Sequence, residues 1–321
     1  MFAPQQLEVD ALHHDYGLQG QGIEIAVLDT GILLTHEVFS SKKDNTIDGC
    51  NFIDGDPQES WKTKPGLHGT AVAAIAVGNE NVSRRTWTEQ YITGIAPKAK
   101  LYICRISDTG KTYPWASMVK ALQHLIDLKK QHPTRIDIVV MSFGGKSKRS
   151  EVEDKLRQLA QLEVILLAAG GNDGDRPDDV YFPASNRNVI SIGAYGIGGR
   201  ITEFSTEYAH VYAPGKAIYV PSLATPGSNS GVCKQKGTSF AAPMVAGFLA
   251  LLLQCVKQSG QSTPKVMKKY HDIDFLKTIL RDHELVNNKR LFYAHKYLER
   301  LLKHPDNVIE LIKRDFKDFS P

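Results

Sequence analysis

The sequence predicts an α/β fold of the doubly wound kind, with helices on both faces of a mainly parallel sheet, and three observations carry the prediction. Short β-branched or apolar runs alternate with segments of helical period. The runs are apolar throughout, as strands buried on both faces must be. Turn residues bound each of them. With 321 residues, 42% of them apolar, the chain can enclose the sizeable core such a fold needs.

In chain order, residues 23–28 read as a buried strand running straight into Asp29-Thr30-Gly31. The small-residue run after Gly66-Leu67-His68 reads as a helix with His68 at its start. Further strands are expected at Lys100–Ile106, Ile136–Phe143, Glu163–Ala169 and Val189–Ala194. Between them, a helix over 115–130 places Met118, Ala121, Leu122, Leu125 and Ile126 on one face, and Val152, Leu156 and Leu159 do the same in the next. A long buried helix is expected from Ser239 through Leu253, with Pro243 tolerated because it falls within the first turn. Ser259-Gly260-Gln261-Ser262-Thr263-Pro264 reads as a hinge before three charged helical segments, roughly 265–282, 289–303 and 306–317.

Composition narrows the function classes. Residues 265–321 hold 13 Lys+Arg and 9 Asp+Glu, which leaves 26 of each sign in the rest of the chain, so the net charge of +4 belongs to the tail. There it alternates with acids at helical spacing, the pattern of a solvated face, and no nucleic-acid partner is expected. No apolar stretch is expected to reach the roughly 20 residues of a membrane span, and the opening Met-Phe-Ala-Pro-Gln-Gln does not read as a secretory signal. Cys50, Cys104, Cys233 and Cys255 show no paired spacing and read as free thiols, so a cytoplasmic location is expected. The histidines show no metal-ligand spacing and His-Glu-x-x-His is missing; no metal and no cofactor is expected.

Chemistry concentrates in three blocks. Gly237-Thr238-Ser239-Phe240-Ala241-Ala242-Pro243 puts a serine at a helix start, where free backbone N–H groups and the dipole face any oxyanion formed beside it. A serine hydroxyl is a weak nucleophile near neutral pH; it needs a histidine to take its proton and a carboxylate to fix the histidine tautomer. His68 and Asp29 supply these types, the second at the carboxyl end of a strand, where chemistry collects in open α/β sheets.

These blocks, in the order Asp, His, Ser, resemble those of the subtilisin-type serine proteases (subtilases, peptidase S8). Ala168-Ala169-Gly170-Gly171-Asn172-Asp173-Gly174 is similar to the family's segment with an oxyanion-hole asparagine, which implicates Asn172. The resemblance implies a subtilisin-like three-layer α/β/α fold in residues 1–260; residues 261–321 depart from the family's usual closing segment and read as a helical segment that closes the domain or begins another module. It implies a serine endopeptidase in which Ser239 attacks, His68 acts as base and acid, Asp29 orients His68, and Asn172 holds the oxyanion.

It also implies that a polypeptide binds as an extended strand between Ser142-Phe143-Gly144-Gly145 and the edge from Asp108 to Tyr113. The pocket for the side chain before the scissile bond should be lined by Ser142, Phe143, Gly144 and the run from Ala168 through Ala169 and Gly170 to Asn172, with its base near Tyr181. Asp173, Asp175, Asp178 and Asp179 there read as a solvated acidic loop, and a bulky Tyr181 would shorten the pocket. Many subtilases bind calcium through an aspartate that corresponds to Val38, so dependence on calcium is not expected. Leu7–Leu12 resembles the start of a mature domain, so restraint by the tail after Gly260, by assembly, or by a regulatory partner elsewhere in a longer parent protein is expected in place of a prosegment. The alternative reading is a regulatory or effector module of a larger signalling protein, one that binds peptides with little turnover.

Overall fold

The computed structural model describes residues 9–42, 46–79, 93–174, 180–222, 231–280, 298 and 302. Among these, seven strands form one parallel sheet in the order β2-β3-β1-β4-β5-β6-β7. They are β1 Glu24–Asp29, β2 Ile47–Asn51, β3 Lys100–Arg105, β4 Ile138–Met141, β5 Ile165–Ala169, β6 Ile190–Tyr195 and β7 Val211–Pro214. A separate antiparallel hairpin pairs β8 Ile218–Pro221 with β9 Val232–Gln235. The helices are α1 Val9–His14, α2 Ser60–Thr63, α3 Leu67–Val77, α4 Trp115–Gln131, α5 Ser150–Gln161, α6 Thr238–Gln258, α7 Pro264–Tyr270 and α8 Ile273–Leu280.

Alternation along the strands builds three layers. Ile25, Val27, Ile103, Val140 and Leu167 face one core, shared with α3 and α6. Ala26, Leu28, Cys104, Met141 and Ala168 face the other, shared with α4 and α5. The observed fold is therefore α/β/α around a parallel sheet, as the sequence predicts, and the five predicted strands and the helix over 115–130 all form. The four cysteines are free.

Three expectations are corrected. Helix α6 is long and apolar enough, by length and composition, to cross a membrane, contrary to the expectation that no stretch qualifies; its apolar window is wholly buried between the sheet and α3, as in the core helix of a globular domain. Pro243 is the sixth residue of α6, beyond the first turn, so the Ser239 carbonyl has no N–H four residues on to receive. The single helix expected over 265–282 breaks at His271-Asp272. Thr263 accepts from Val266 N at 3.3 Å to start α7, and Asp272 Oδ1 accepts from Phe275 N at 2.8 Å to start α8, so two side-chain caps in quick succession favour two helices. Val266, Tyr270, Phe275, Leu276 and Leu280 then enter the same core as α6.

At the position that corresponds to the calcium aspartate the chain offers no side-chain oxygen. Val38 is buried in the core, and the neighbouring Asn79 spends its amide on Glu37 O (3.0 Å) and Ser40 Oγ (2.9 Å) and its oxygen on the Ser41 hydroxyl (2.6 Å). The loop of 80–92, the acids Asp175, Asp178 and Asp179, and the tail segments 289–303 and 306–317, apart from 298 and 302, lie outside the described residues.

Candidate active site

Three neighbouring strands deliver the polar residues to one edge of the sheet. Strand β1 ends on Asp29; β4, beside it, ends at Met141 and is followed by Ser142; β5, next in order, ends at Ala169 and runs on to Asn172. All three point the same way, so their carboxyl ends form one rim. The N-termini of α3 and α6 meet this rim and bring His68 and Ser239, each the second residue of its helix.

Asp29 is fully buried, and its carboxylate is held on the strand by Thr30 N, which donates to Oδ1 at 2.8 Å. His68 Nδ1 lies 2.9 Å from both carboxylate oxygens, which directs the Nδ1–H to Asp29 and leaves Nε2 facing the cleft as the basic nitrogen. Burial pulls the His68 pKa down, but the charge of Asp29 and its hydrogen bond outweigh that and hold it above the ordinary histidine value. Glycine is required beside the imidazole: a Cβ at Gly69 would lie 2.3 Å from Gly31 O.

At Ser239 the helix cap is Gly237, which makes no side-chain cap, so the hydroxyl is not spent as an N-cap. Gly237 has φ 148°, and a Cβ there would meet Ser239 Oγ at 3.1 Å and Asn172 Nδ2 at 3.5 Å. Asn172 Oδ1 accepts from Thr238 N at 2.8 Å and from Thr238 Oγ1 at 3.1 Å. With its oxygen anchored, the side-chain NH₂ of Asn172 remains a donor toward the cleft. Thr238 was not singled out from the sequence; its place one residue before Ser239 was the available signal.

One cleft of about 250 Å³ brings together His68, Ser239, Asn172, Lys111, Tyr113, Ser142, Phe143, Gly144, Ala169, Gly171 and Tyr181, all within segments expected from the sequence, with Asp173 and Thr238 besides. Gly145, Gly170 and Asp108, expected to bind substrate, do not line it. Gly145 exchanges backbone hydrogen bonds with Phe182, Gly170 N donates to Ile192 O, and Asp108 is ion-paired with the buried Arg105. Asp108 lines a second hollow of about 400 Å³ on the other side of His68, with Leu67, Gln235 and Phe240. The Tyr181 hydroxyl donates to Asp173. Its Cβ is where a Cβ at Gly144 would come within 2.8 Å, and its ring is 3.2 Å from where one at Gly171 would stand, so the ring is wedged between the two glycine segments.

A buried carboxylate on a histidine, a serine at a helix N-terminus and an anchored amide in the same cleft are the parts that acyl transfer needs. Comparisons with known proteins agree. The model of the subtilase family, peptidase S8, matches residues 20–280. The intracellular serine protease of Paenibacillus polymyxa is 33% identical over 250 residues, which cover 75% of this chain and 69% of the relative. The major intracellular serine protease of Bacillus subtilis (strain 168) is 31% identical over 255 residues, covering 76% and 72%. Among solved structures, the prenylagaramide maturation protease PagA matches with a TM-score of 0.62 at 25% identity, over 81% of this chain and 86% of that one. The chain belongs to the subtilase family and is a subtilisin-type serine endopeptidase.

Proposed function

We propose that peptide bonds are cleaved here by Ser239, with His68 as general base and acid, Asp29 as the orienting carboxylate, and the Asn172 amide and Ser239 N–H as oxyanion donors. The observation that carries this is the Asp29–His68 pair at 2.9 Å, at the head of a cleft shared with Ser239 and an Asn172 whose Oδ1 is already engaged. Ser239 Oγ attacks the carbonyl carbon while its proton passes to His68 Nε2. The oxyanion is held by the two donors, and the imidazolium by Asp29. Collapse breaks the C–N bond as His68 protonates the leaving amine. Water, deprotonated by His68, then hydrolyses the acyl-enzyme and regenerates Ser239.

The substrate is a polypeptide lying extended along Ser142 to Gly144, opposite the loop that carries Lys111 and Tyr113. Tyr181 shortens the pocket for the residue before the scissile bond, so small side chains are preferred there. Tyr181→Gly should raise kcat/KM for a peptide with phenylalanine at that position by roughly 10- to 100-fold relative to alanine, the worth of burying a large apolar side chain. Unchanged selectivity in a panel of matched peptides would contradict this. The relatives named intracellular support a cytoplasmic setting. The entry of Val266, Tyr270, Phe275 and Leu280 into the main core supports residues 264–280 as the closure of the peptidase domain.

Asn172→Ala tests the arrangement. It should lower kcat by roughly 10²–10³, the range for removing one such donor from subtilisin, with little change in KM, because the amide meets charge that exists only in the transition state. A change confined to KM would contradict the role.

A further inference from the structure

The hydroxyl of Tyr113 lies 3.4 Å from Asp29 Oδ1 and 3.3 Å from His68 Nδ1, so it sits against the carboxylate–imidazole pair as well as lining the cleft. A ring stack and a tied loop hold it there. The ring stacks on Phe143, with centroids 4.2 Å apart and planes at 10°. The loop leading to it is tied by Ser107, whose hydroxyl donates to Thr112 O and accepts from Gly110 N. The resemblance assigns the edge containing Tyr113 to substrate; the contact with Asp29 gives this side chain a second task.

Resting on the Asp29–His68–Ser239 reading above, we propose that Tyr113 is a positioning residue of the catalytic pair: its O–H donates to Asp29 Oδ1, shares the carboxylate charge with His68, and covers the pair on the cleft side. A phenol suits this task because it stays neutral. Burial and the adjacent Asp29 charge both raise its pKa, so it remains a donor through the working pH range. Asp29 then accepts from Thr30 N, His68 and Tyr113 together. Removing the third donor concentrates the carboxylate charge on His68 and stabilises the imidazolium. The other charged groups near the ring are Lys111 and Asp173, which line the same cleft, and Asp108, which lines the hollow on the other side and is paired with Arg105.

The test compares Tyr113→Phe, which keeps the stack on Phe143, with the unaltered enzyme in two measurements. The acid limb of kcat/KM against pH reports the His68 pKa, and the proton NMR resonance of the His68 Nδ1–H reports the bond to Asp29 without turnover. The limb should move to higher pH by roughly half a unit, and the resonance should shift. If the limb and the resonance both stay put, the proposal is overturned. Asp29→Asn, run alongside, separates this failure from that of the triad itself. If Asp29→Asn is nearly inactive while Tyr113→Phe is silent, only the role of Tyr113 falls; if Asp29→Asn retains full turnover, both fall.

Discussion

Replacing Ser239 by alanine is expected to lower kcat by about 10⁶-fold, the loss known for the nucleophile of subtilisin, while leaving the fold intact. A remaining rate is expected from the proposed donors that the substitution does not touch: Asn172, anchored through Thr238, and the backbone N–H at the start of α6. Stability should barely change. The hydroxyl does not cap α6, since Gly237 holds the cap position, and alanine is the better helix former. The measurement is single-turnover cleavage of a peptide beside a thermal unfolding curve. Wild-type turnover in the alanine variant would remove Ser239 from the chemistry. A collapse of the unfolding transition would instead mean that the residue is structural.

Asp29→Asn should cost about 10⁴-fold in kcat with little effect on KM, the size seen when a serine-protease triad carboxylate becomes an amide. The geometry gives the reason. Thr30 N donates to Oδ1 at 2.8 Å and the Tyr113 hydroxyl approaches the same atom, so an asparagine will set its carbonyl oxygen there. Its NH₂ group then takes the place of Oδ2 and faces His68 Nδ1. A donor facing Nδ1 favours the tautomer with the proton on Nε2, and that imidazole cannot accept the proton of Ser239. The imidazolium also loses the charge that now holds its pKa above the ordinary value. The pH profile of the variant should therefore show its acid limb displaced downward. Kinetics across pH 5 to 9, a range chosen around the ordinary histidine value of about 6.5, would reveal it. An unchanged limb would mean that Asp29 does not act on His68.

Much of the site was legible because each residue sits in a local pattern with a physical reason behind it. Asp29 ends an apolar strand, His68 opens a small-residue helix, and Ser239 follows a glycine at the head of the longest apolar run. Such signals need no knowledge of distant contacts. Strand β2 lacked one: Asp48, Gly49 and Asn51 break its pattern, and it forms because β3 offers a sheet edge to pair with. Strand β7, Val211–Pro214, is short and ends in proline, and it too is held by its neighbour, β6. Pro243 falls beyond the first turn because the cap is Gly237, which sets the count of helix positions. Tyr113 was assigned to the substrate edge, but where its hydroxyl goes depends on the stack on Phe143 and on the Ser107 tie, contacts that no sequence spacing encodes. Thr238 likewise takes its role from Asn172, 66 residues away.

A fluorophosphonate probe reacts only with a serine whose hydroxyl is activated and whose oxyanion is stabilised, so it examines Ser239, His68 and Asn172 at once. The full chain is incubated with the probe, digested, and the labelled peptide sequenced by mass spectrometry. One adduct per chain on Ser239, lost in the His68→Ala variant, is the result expected from an activated Ser239 beside His68 and Asn172. No adduct, or an adduct on another serine, would contradict it.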